Sequence, residues 1–366
     1  MGIIHKRQVK ISFCITCMNR LHHIKKTLET NIKDNFLPGM VEFVLLDYSS
    51  SDGLETWIRN EMISYIKDDV LVFYRTPDYK TYKRSHSRNL AFNLASGKIV
   101  CNLDADIYLG KDFAKKMISE FQKNSNTFYT NDQMIGDLFG KVIVLKKDFL
   151  KIHGYNEFLN GYGFEDIDLY TRLISNGLKQ VVFYEKEFCK FIEHSVEERI
   201  INEYYFQELE MMFISYINPY TTKLFILLKN KTCKMGVFID NLHLNSCSIH
   251  NNKSINDYFY NDLHRIVLEE DLEHGIWFRS NNVLSVSFAI EELKFTLEED
   301  NTTLINEKLF YLVSDPTIIT QAILLLSDCE NYRKVKKSSM LGSKINTEGF
   351  GSGRVYRNFD TSSIII

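Results

Sequence analysis

At 366 residues, with 45% hydrophobic and 25% charged side chains, the chain is long enough for about two domains and can build ordinary globular cores. A net charge of −3 provides no global footprint for nucleic acid or an anionic membrane surface, and no apolar run approaches the ~18 residues of a membrane-crossing helix. Seven cysteines without regular spacing argue against a disulfide framework and for a reducing compartment. The N-terminal MGIIHKRQVK lacks the apolar core of a signal peptide, so the expected location is cytoplasmic, at most peripheral to a membrane.

Strand and helix patterns alternate through the first ~215 residues. Ile11–Thr16 reads as a buried strand, and Leu21, Ile24 and Leu28 then recur at helical spacing. Val41–Leu46 is a second strand ending at Asp47, followed by a helical stripe of Leu54, Trp57, Ile58 and Met62. Val70–Tyr74 is a short strand, Leu90 and Leu94 lie on a helix, and Ile99–Leu103 is a strand. Phe113, Met117 and Phe121 mark another helix, Phe139–Leu145 a further central strand, Asp166–Ile174 a helix start and Val181–Tyr184 a last strand. Such alternation predicts an α/β fold with a mostly parallel sheet covered on both faces. Beyond residue 215, Lys223–Lys231, Met235–Asp240 and Val283–Phe288 are strand candidates. Asp257–Leu268, Glu291–Leu297 and Thr317–Leu326 are helix candidates. The Ser-, Gly- and Lys-rich stretch from Lys336 onward reads as a mobile tail. Three regions follow: 1–215, 216–335 and 336–366.

The chemistry concentrates in the first region. Leu103-Asp104-Ala105-Asp106 places two carboxylates at the end of an apolar strand, where a hard divalent cation finds oxygen ligands and α/β sheets bind nucleotides. Arg20, where a strand meets a helix N-terminus, suits a diphosphate. Asp47 has two readings, a base or ribose contact or a helix cap. Asp52 reads as a helix cap. Tyr82–Asn89 is rich in cations. Glu165 and Asp166 follow a glycine–aromatic loop, Gly161-Tyr162-Gly163-Phe164, a setting for a sugar ring and a general base, whereas Asp168 suits the helix dipole. His194, after the last strand, is a candidate metal ligand. Cys14-Ile15-Thr16-Cys17 is read as core rather than as a redox pair.

Taken in order, these segments resemble the inverting, metal-dependent GT-A glycosyltransferases, in particular the β-1,4-galactosyltransferase and chondroitin-polymerase type of family-two-like enzymes. Ile15–Arg20 is similar to the family's first nucleotide loop and Tyr82-Lys83-Arg84 to its Phe-Asn-Arg loop. Leu103–Asp106 resembles its Asp-x-Asp, Phe139–Val142 its sugar-contacting strand, Gly161–Asp168 its Gly-Trp-Gly-Gly-Glu-Asp loop and Ile192–Ser195 its metal-histidine segment. Phe164 and Lys141 stand where the family has glycines, Tyr162 replaces a Trp, and Tyr48 stands where many members have a second Asp.

The resemblance implies a Rossmann-like GT-A domain with a smaller α+β or helical C-terminal region for acceptor docking or self-association. It implies Mn²⁺ or Mg²⁺ on Asp106 and His194, with Asp104 at the metal or ribose. Thr16, Arg20, Asp47, Arg84, Leu138 and Gly140 would line the UDP-sugar site. Asp166 would be the base and Glu165 would hold a glycan, lipid-linked or other hydroxyl acceptor. Leu138 reads either as strand core or as the residue beside the sugar's C2. A catalytically silent module that binds a nucleotide-sugar or scaffolds an assembly is the alternative. A nucleotidyltransferase would need a glycine-rich phosphate loop, and no glycine lies between Ile11 and Leu37.

Overall fold

The structure is a computed structural model and describes residues 10–131, 140–183, 188, 190–218, 221–238, 273–288, 292–296, 302–305, 308–340 and 344–366. It divides into two compact units. Gly161–Gly163 and Ser195–Lys336 form the second, and the remaining residues, including Lys337–Ile366, form the first.

The first unit contains β1 (Ile11–Cys17), α1 (Leu21–Asn35), β2 (Val41–Tyr48), α2 (Leu54–Glu61), α3 (Ile63–Lys67), β3 (Leu71–Thr76), α4 (Arg84–Leu94), β4 (Ile99–Asn102), β5 (Ile107–Tyr108) and α5 (Phe113–Lys123). It continues with β6 (Thr127–Asn131), β7 (Val142–Leu145), α6 (Lys146–Lys151), α7 (Glu165–Ser175), β8 (Lys179–Phe183) and β9 (Lys190–Phe191). Two C-terminal strands, β18 (Arg354–Arg357) and β19 (Ser363–Ile365), complete a sheet of order β19-β18-β3-β2-β1-β4-β7-β6-β8.

Every residue of β1 and β2 is buried, as expected for central strands covered on both faces. The pleat sends Phe13 and Phe43 to one face, where they pack with Ile24, Leu28 and Phe113. Cys14 and Val44 go to the other, with Leu90, Phe92 and Tyr155. Strands β3, β2, β1 and β4 are parallel as expected. β7 runs antiparallel to both β4 and β6, so the sheet is mixed. The sequence between β6 and β7 carries no apolar helical stripe, and a parallel pair would need that crossover.

The second unit comprises α8 (Val196–Ile200), α9 (Tyr204–Glu208), β10 (Leu209–Asn218), β11 (Thr221–Leu228), β12 (Thr232–Phe238), β13 (Glu273–Ser280), β14 (Val283–Phe288), β15 (Glu292–Thr296), β16 (Thr302–Ile305), β17 (Lys308–Leu312) and the long α10 (Pro316–Met340), whose last residues fall in the first unit. Its antiparallel sheet runs β15-β14-β13-β12-β11-β10-β17-β16. Alternation along β10 and β11 makes two cores. Met212, Ile214, Leu224 and Ile226 pack under Ile323, Leu326 and Cys329 of α10, while Phe213 and Phe225 face Trp277, Phe295 and Phe310. The ring of Phe225 on β11 lies 5.9 Å from Phe295 on the edge strand β15, four strands away, and 6.5 Å from Phe310 on β17, so the sheet curls around this side chain. Lys234 bonds Glu330 and Tyr205, and Tyr205 donates to Glu330, which satisfies a buried charge in this core.

Several expectations change. Ser195, not residue 215, opens the second unit. Glu291–Leu297 was expected to be helical, but Glu292–Thr296 is a strand, because Phe295 registers with Leu284 and pairing overrides local propensity. The helix at Thr317–Leu326 extends to Met340. Asp257–Leu268 lies outside the described residues. Residues 344–366, expected to belong to a mobile tail, pack as part of the first unit. β18 pairs antiparallel with β3, and Val355 is fully buried. Few aliphatics suffice there because Asn346 and Asn358 supply side-chain hydrogen bonds to the backbone.

Candidate active site

The C-terminal ends of β1, β2 and β4 and the N-terminal ends of α4 and α7 carry the candidate residues. Asp104 follows β4. Arg88 lies one helical turn beyond Arg84 on α4 and is 3% exposed. Its Nη1 donates to Asp166 Oδ1 at 3.0 Å and to Glu165 Oε1 at 3.4 Å, and its Nη2 reaches Asp104 Oδ1 at 3.5 Å. Arg84 Nε lies 3.4 Å from the same Glu165 oxygen. Two guanidinium groups thus meet three carboxylates, the buried Glu165 and Asp166 and the partly exposed Asp104. Burial pushes the Asp166 carboxyl up to about 7; Arg88 opposes this, and Glu165 and Asp104 add to it.

Gly140 comes within touching distance of the cluster. A Cβ there would sit 2.7 Å from Asp166 Oδ2, and its φ of +103° is one that side chains avoid. Its carbonyl accepts from Asn102 Nδ2 at 3.2 Å, and the same amide reaches Asp104 Oδ1 at 3.4 Å. Phe164, standing where the resembled family has glycine, adopts a left-handed φ of 67° as the N-cap of α7. A bulky residue held there is strained, at the turn that delivers Glu165 and Asp166. Asp168, by contrast, pairs with Arg172 one turn along α7, as a helix-terminal acid should.

The two-stranded pairing of β5 with β9, Ile107 opposite Phe191, joins the Asp-x-Asp loop to the histidine segment. The Ile192 amide donates to the Asp106 carbonyl at 2.9 Å, and His194 Nε2 lies 2.9 Å from Asp106 Oδ2. Cis ligands of an octahedral ion with bonds of roughly 2.1 Å stand about 3 Å apart. The oxygen–nitrogen pair therefore fits a divalent cation with little rearrangement.

On the nucleotide side, Thr16 Oγ1 and Tyr82 OH are 2.6 Å apart, and Arg84 lies over the Tyr82 ring at 5.5 Å. Arg20 heads α1 directly after Asn19, whose φ is 55°. Asp47 is fully buried at the end of β2. Its Oδ1 accepts from the Ser50 amide at 2.7 Å, while Oδ2 lacks a hydrogen bond and has Arg75 Nε at 3.7 Å. Burial pushes its carboxyl up to about 6. Oδ1 thus holds the turn at Ser50 rather than capping α2, which begins at Leu54. Asp52 caps two helices, accepting from Leu21 N at 2.8 Å and Leu54 N at 3.3 Å. Tyr48 is buried with its hydroxyl 2.9 Å from His86 Nδ1. Cys14 and Cys17 are buried free thiols that burial raises, unfit as nucleophiles. Leu138 and Phe139 lie outside the described residues.

Sequence reasoning missed Arg88, the cation that binds the carboxylates together. Its signal was the four-residue spacing from Arg84, which puts both on one helix face.

Residues 11–134 match the family model described as glycosyltransferase like family 2, and residues 121–195 match one described as the N-terminal domain of galactosyltransferase. No curated protein matches the chain. Among solved structures, a Pyrobaculum calidifontis mannosyltransferase in complex with GDP-Man and Mn²⁺ is 16% identical, with 49% of this chain and 55% of that one covered and a TM-score of 0.42. Staphylococcus aureus TarS is 10% identical over 84% of this chain and 86% of its own, at a TM-score of 0.43. A Drosophila β-1,4-galactosyltransferase 7 in complex with manganese, UDP-Gal and xylobiose is 13% identical over 52% of this chain and 73% of its own, at 0.37. This chain thus spans little more than half of the mannosyltransferase. The two family models overlap at residues 121–134 and together span residues 11–195, the stretch that carries Arg20, Asp47, Arg84, Asp104, Asp106, Glu165, Asp166 and His194, and over that stretch the chain is similar to family-two-like glycosyltransferases.

Proposed function

We propose that the protein is a metal-dependent inverting transferase that moves a hexose or N-acetylhexosamine from a UDP-sugar to a hydroxyl of a glycan, lipid-linked or other acceptor. The observation that carries this reading is Asp166: a buried carboxylate, raised toward neutrality, clamped by Arg88 beside Glu165 and given room by Gly140. A single displacement needs one base, whereas glycoside hydrolases use a pair of carboxylates.

Asp166 takes the proton of the acceptor hydroxyl. The acceptor oxygen bonds to the anomeric carbon as the carbon–oxygen bond to UDP breaks, so UDP leaves from the opposite face and the configuration inverts. Glu165 holds a second acceptor hydroxyl. Arg88 fixes both carboxylates, so the base does not wander from the attacking oxygen. Asp106 and His194 would hold the divalent cation, whose chemistry when bound is to neutralise the departing diphosphate. Asp47 and Thr16 would receive the base and ribose. If Leu138 lies beside the sugar's C2, its small apolar side chain leaves room for an N-acetyl group. Such a contact changes preference by about 1–3 kcal/mol rather than excluding a donor.

The test is UDP release from a panel of UDP-sugars with Mn²⁺ and with EDTA, plus NMR of the product anomer. The reading expects Mn²⁺-dependent release, an inverted product, and N-acetylhexosamine donors used at least as well as hexoses. Asp106→Ala should abolish metal-dependent UDP binding in calorimetry with the fold intact. Retention of configuration, or full Mn²⁺–UDP affinity in Asp106→Ala, would remove the inverting or the metal assignment respectively.

A further inference from the structure

The segment 344–358 lies far from the catalytic motifs in sequence, yet it packs against the helix that carries Arg88. Gly351 rests on the backbone of α4. A Cβ there would meet the Asn89 carbonyl carbon at 2.6 Å and the Leu90 nitrogen at 2.7 Å. Asn93 Nδ2 donates to the Phe350 carbonyl at 2.8 Å, and His86 Nε2 lies 2.8 Å from the Ser352 carbonyl. Both side chains belong to α4, as Arg84 and Arg88 do.

The same segment also grips residues 153–157. Asn346 Nδ2 donates to the carbonyls of His153 and Tyr155, each at 2.7 Å, and its Oδ1 accepts from Glu157 N at 3.2 Å. Asn89, the neighbour of Arg88, closes the arrangement. It accepts from Tyr155 N at 2.7 Å and donates to Tyr155 O at 2.9 Å and to Glu157 Oε1 at 2.8 Å. That same Glu157 oxygen accepts from Gly351 N at 2.7 Å. One carboxylate oxygen therefore joins α4, the 153–157 segment and the C-terminal segment. Just beyond this joint, Arg88 packs on the Tyr155 ring at 5.4 Å and reaches the three carboxylates. The far end is anchored by the pairing of β18 with β3 and by Phe73 N donating to Asn358 Oδ1 at 2.9 Å.

We propose that residues 344–358 are a strap that sets the position of Arg88, with Glu157, Gly351 and Asn346 as positioning residues for sugar transfer. This rests on the reading of Asp166 as base. The strap's hydrogen bonds given above run to α4 and residues 153–157. Its loss lets α4 shift against residues 153–157 and moves the guanidinium away from Asp166. A misplacement of about 1 Å in a catalytic group costs up to about 10²-fold in rate.

The experiment compares full-length wild type, Glu157→Ala, Glu157→Gln and Gly351→Val, with Glu157→Ala also built on Arg88→Lys. In Glu157→Ala and Gly351→Val, kcat should fall about 10–100-fold with donor KM within about twofold. Glu157→Gln keeps an acceptor oxygen and should recover most of the loss. On Arg88→Lys, Glu157→Ala should cost about twofold or less, because contacts that act through one residue are not additive. Wild-type kcat in Glu157→Ala, or an equal loss on both backgrounds, would overturn the strap. Where Gly351→Val fails to fold, the two Glu157 variants decide. Amide exchange supplies a readout without turnover: peptides over 84–94 should exchange at least about tenfold faster in Glu157→Ala, with 113–123 unchanged. Wild type turning over no UDP-sugar would defeat the transferase reading, and the exchange arm would still decide the strap, unchanged protection over 84–94 overturning it.

Discussion

Arg88 Nη1 donates to Asp166 Oδ1 at 3.0 Å, and this pair organises the candidate active site. Both side chains are almost fully buried, and the same guanidinium also holds Glu165 and Asp104. Arg88→Lys should keep a charge but lose the fork that binds three carboxylates. We expect turnover to fall by at least about 10²-fold, judged from rates at saturating donor. Arg88→Ala should in addition destabilise the protein by about 3–5 kcal/mol, because it removes the guanidinium that pairs with the buried Asp166. Denaturant unfolding checks that figure.

The pH profile follows from Asp166. Burial raises its carboxyl to about 7, against the pull of Arg88. A base acts only when deprotonated, so kcat/KM should rise through neutral pH and fall on the acid side. A rate that stays flat from pH 5 to pH 8 would move the base role to another group.

Gly140 is the most sensitive neighbour of the base. Gly140→Ala would press a methyl to 2.7 Å from Asp166 Oδ2 at a φ of +103°. We expect at least about a tenfold loss of turnover and a lower unfolding midpoint. Turnover assays and thermal unfolding read the two effects separately.

Asp47 links the nucleotide side to stability. Its folded pKa, about 6, lies above the ordinary 3.8. The folded state therefore binds the extra proton, and this group's contribution is most favourable below about pH 4. It is lost as pH rises, fully so above about 6. Two pKa units correspond to about 3 kcal/mol as an upper figure. Asp47→Asn should flatten the fall in unfolding free energy between pH 4 and pH 7, a comparison made by urea titrations.

Much of this site was legible because its motifs are short and local. Asp104 and Asp106 end an apolar strand, Glu165 and Asp166 open a helix after glycines, and His194 follows the last strand of the domain. Periodicity alone located β1, β2, α1 and α5. What escaped were relationships between distant segments. Arg88 looked like one more cation in a basic stretch until α4 turned it inward. The pairing of β5 with β9, which brings His194 to Asp106, involves strands of only two residues each. Residues 344–366 looked unstructured because their stability comes from Asn346, Gly351 and Val355 meeting other elements, not from any pattern of their own. Glu292–Thr296 read as a helix because its strand, with Phe295 inward, is decided by pairing with β14.

The central claim is tested most directly by measuring turnover and UDP affinity together in wild type and Asp166→Asn. Asparagine keeps the shape of the side chain and removes its proton-accepting capacity. The account expects wild type to release UDP in the presence of Mn²⁺ and acceptor. It expects Asp166→Asn to lose about 10²–10⁴-fold in kcat with UDP affinity unchanged. Near-wild-type turnover in Asp166→Asn would contradict it.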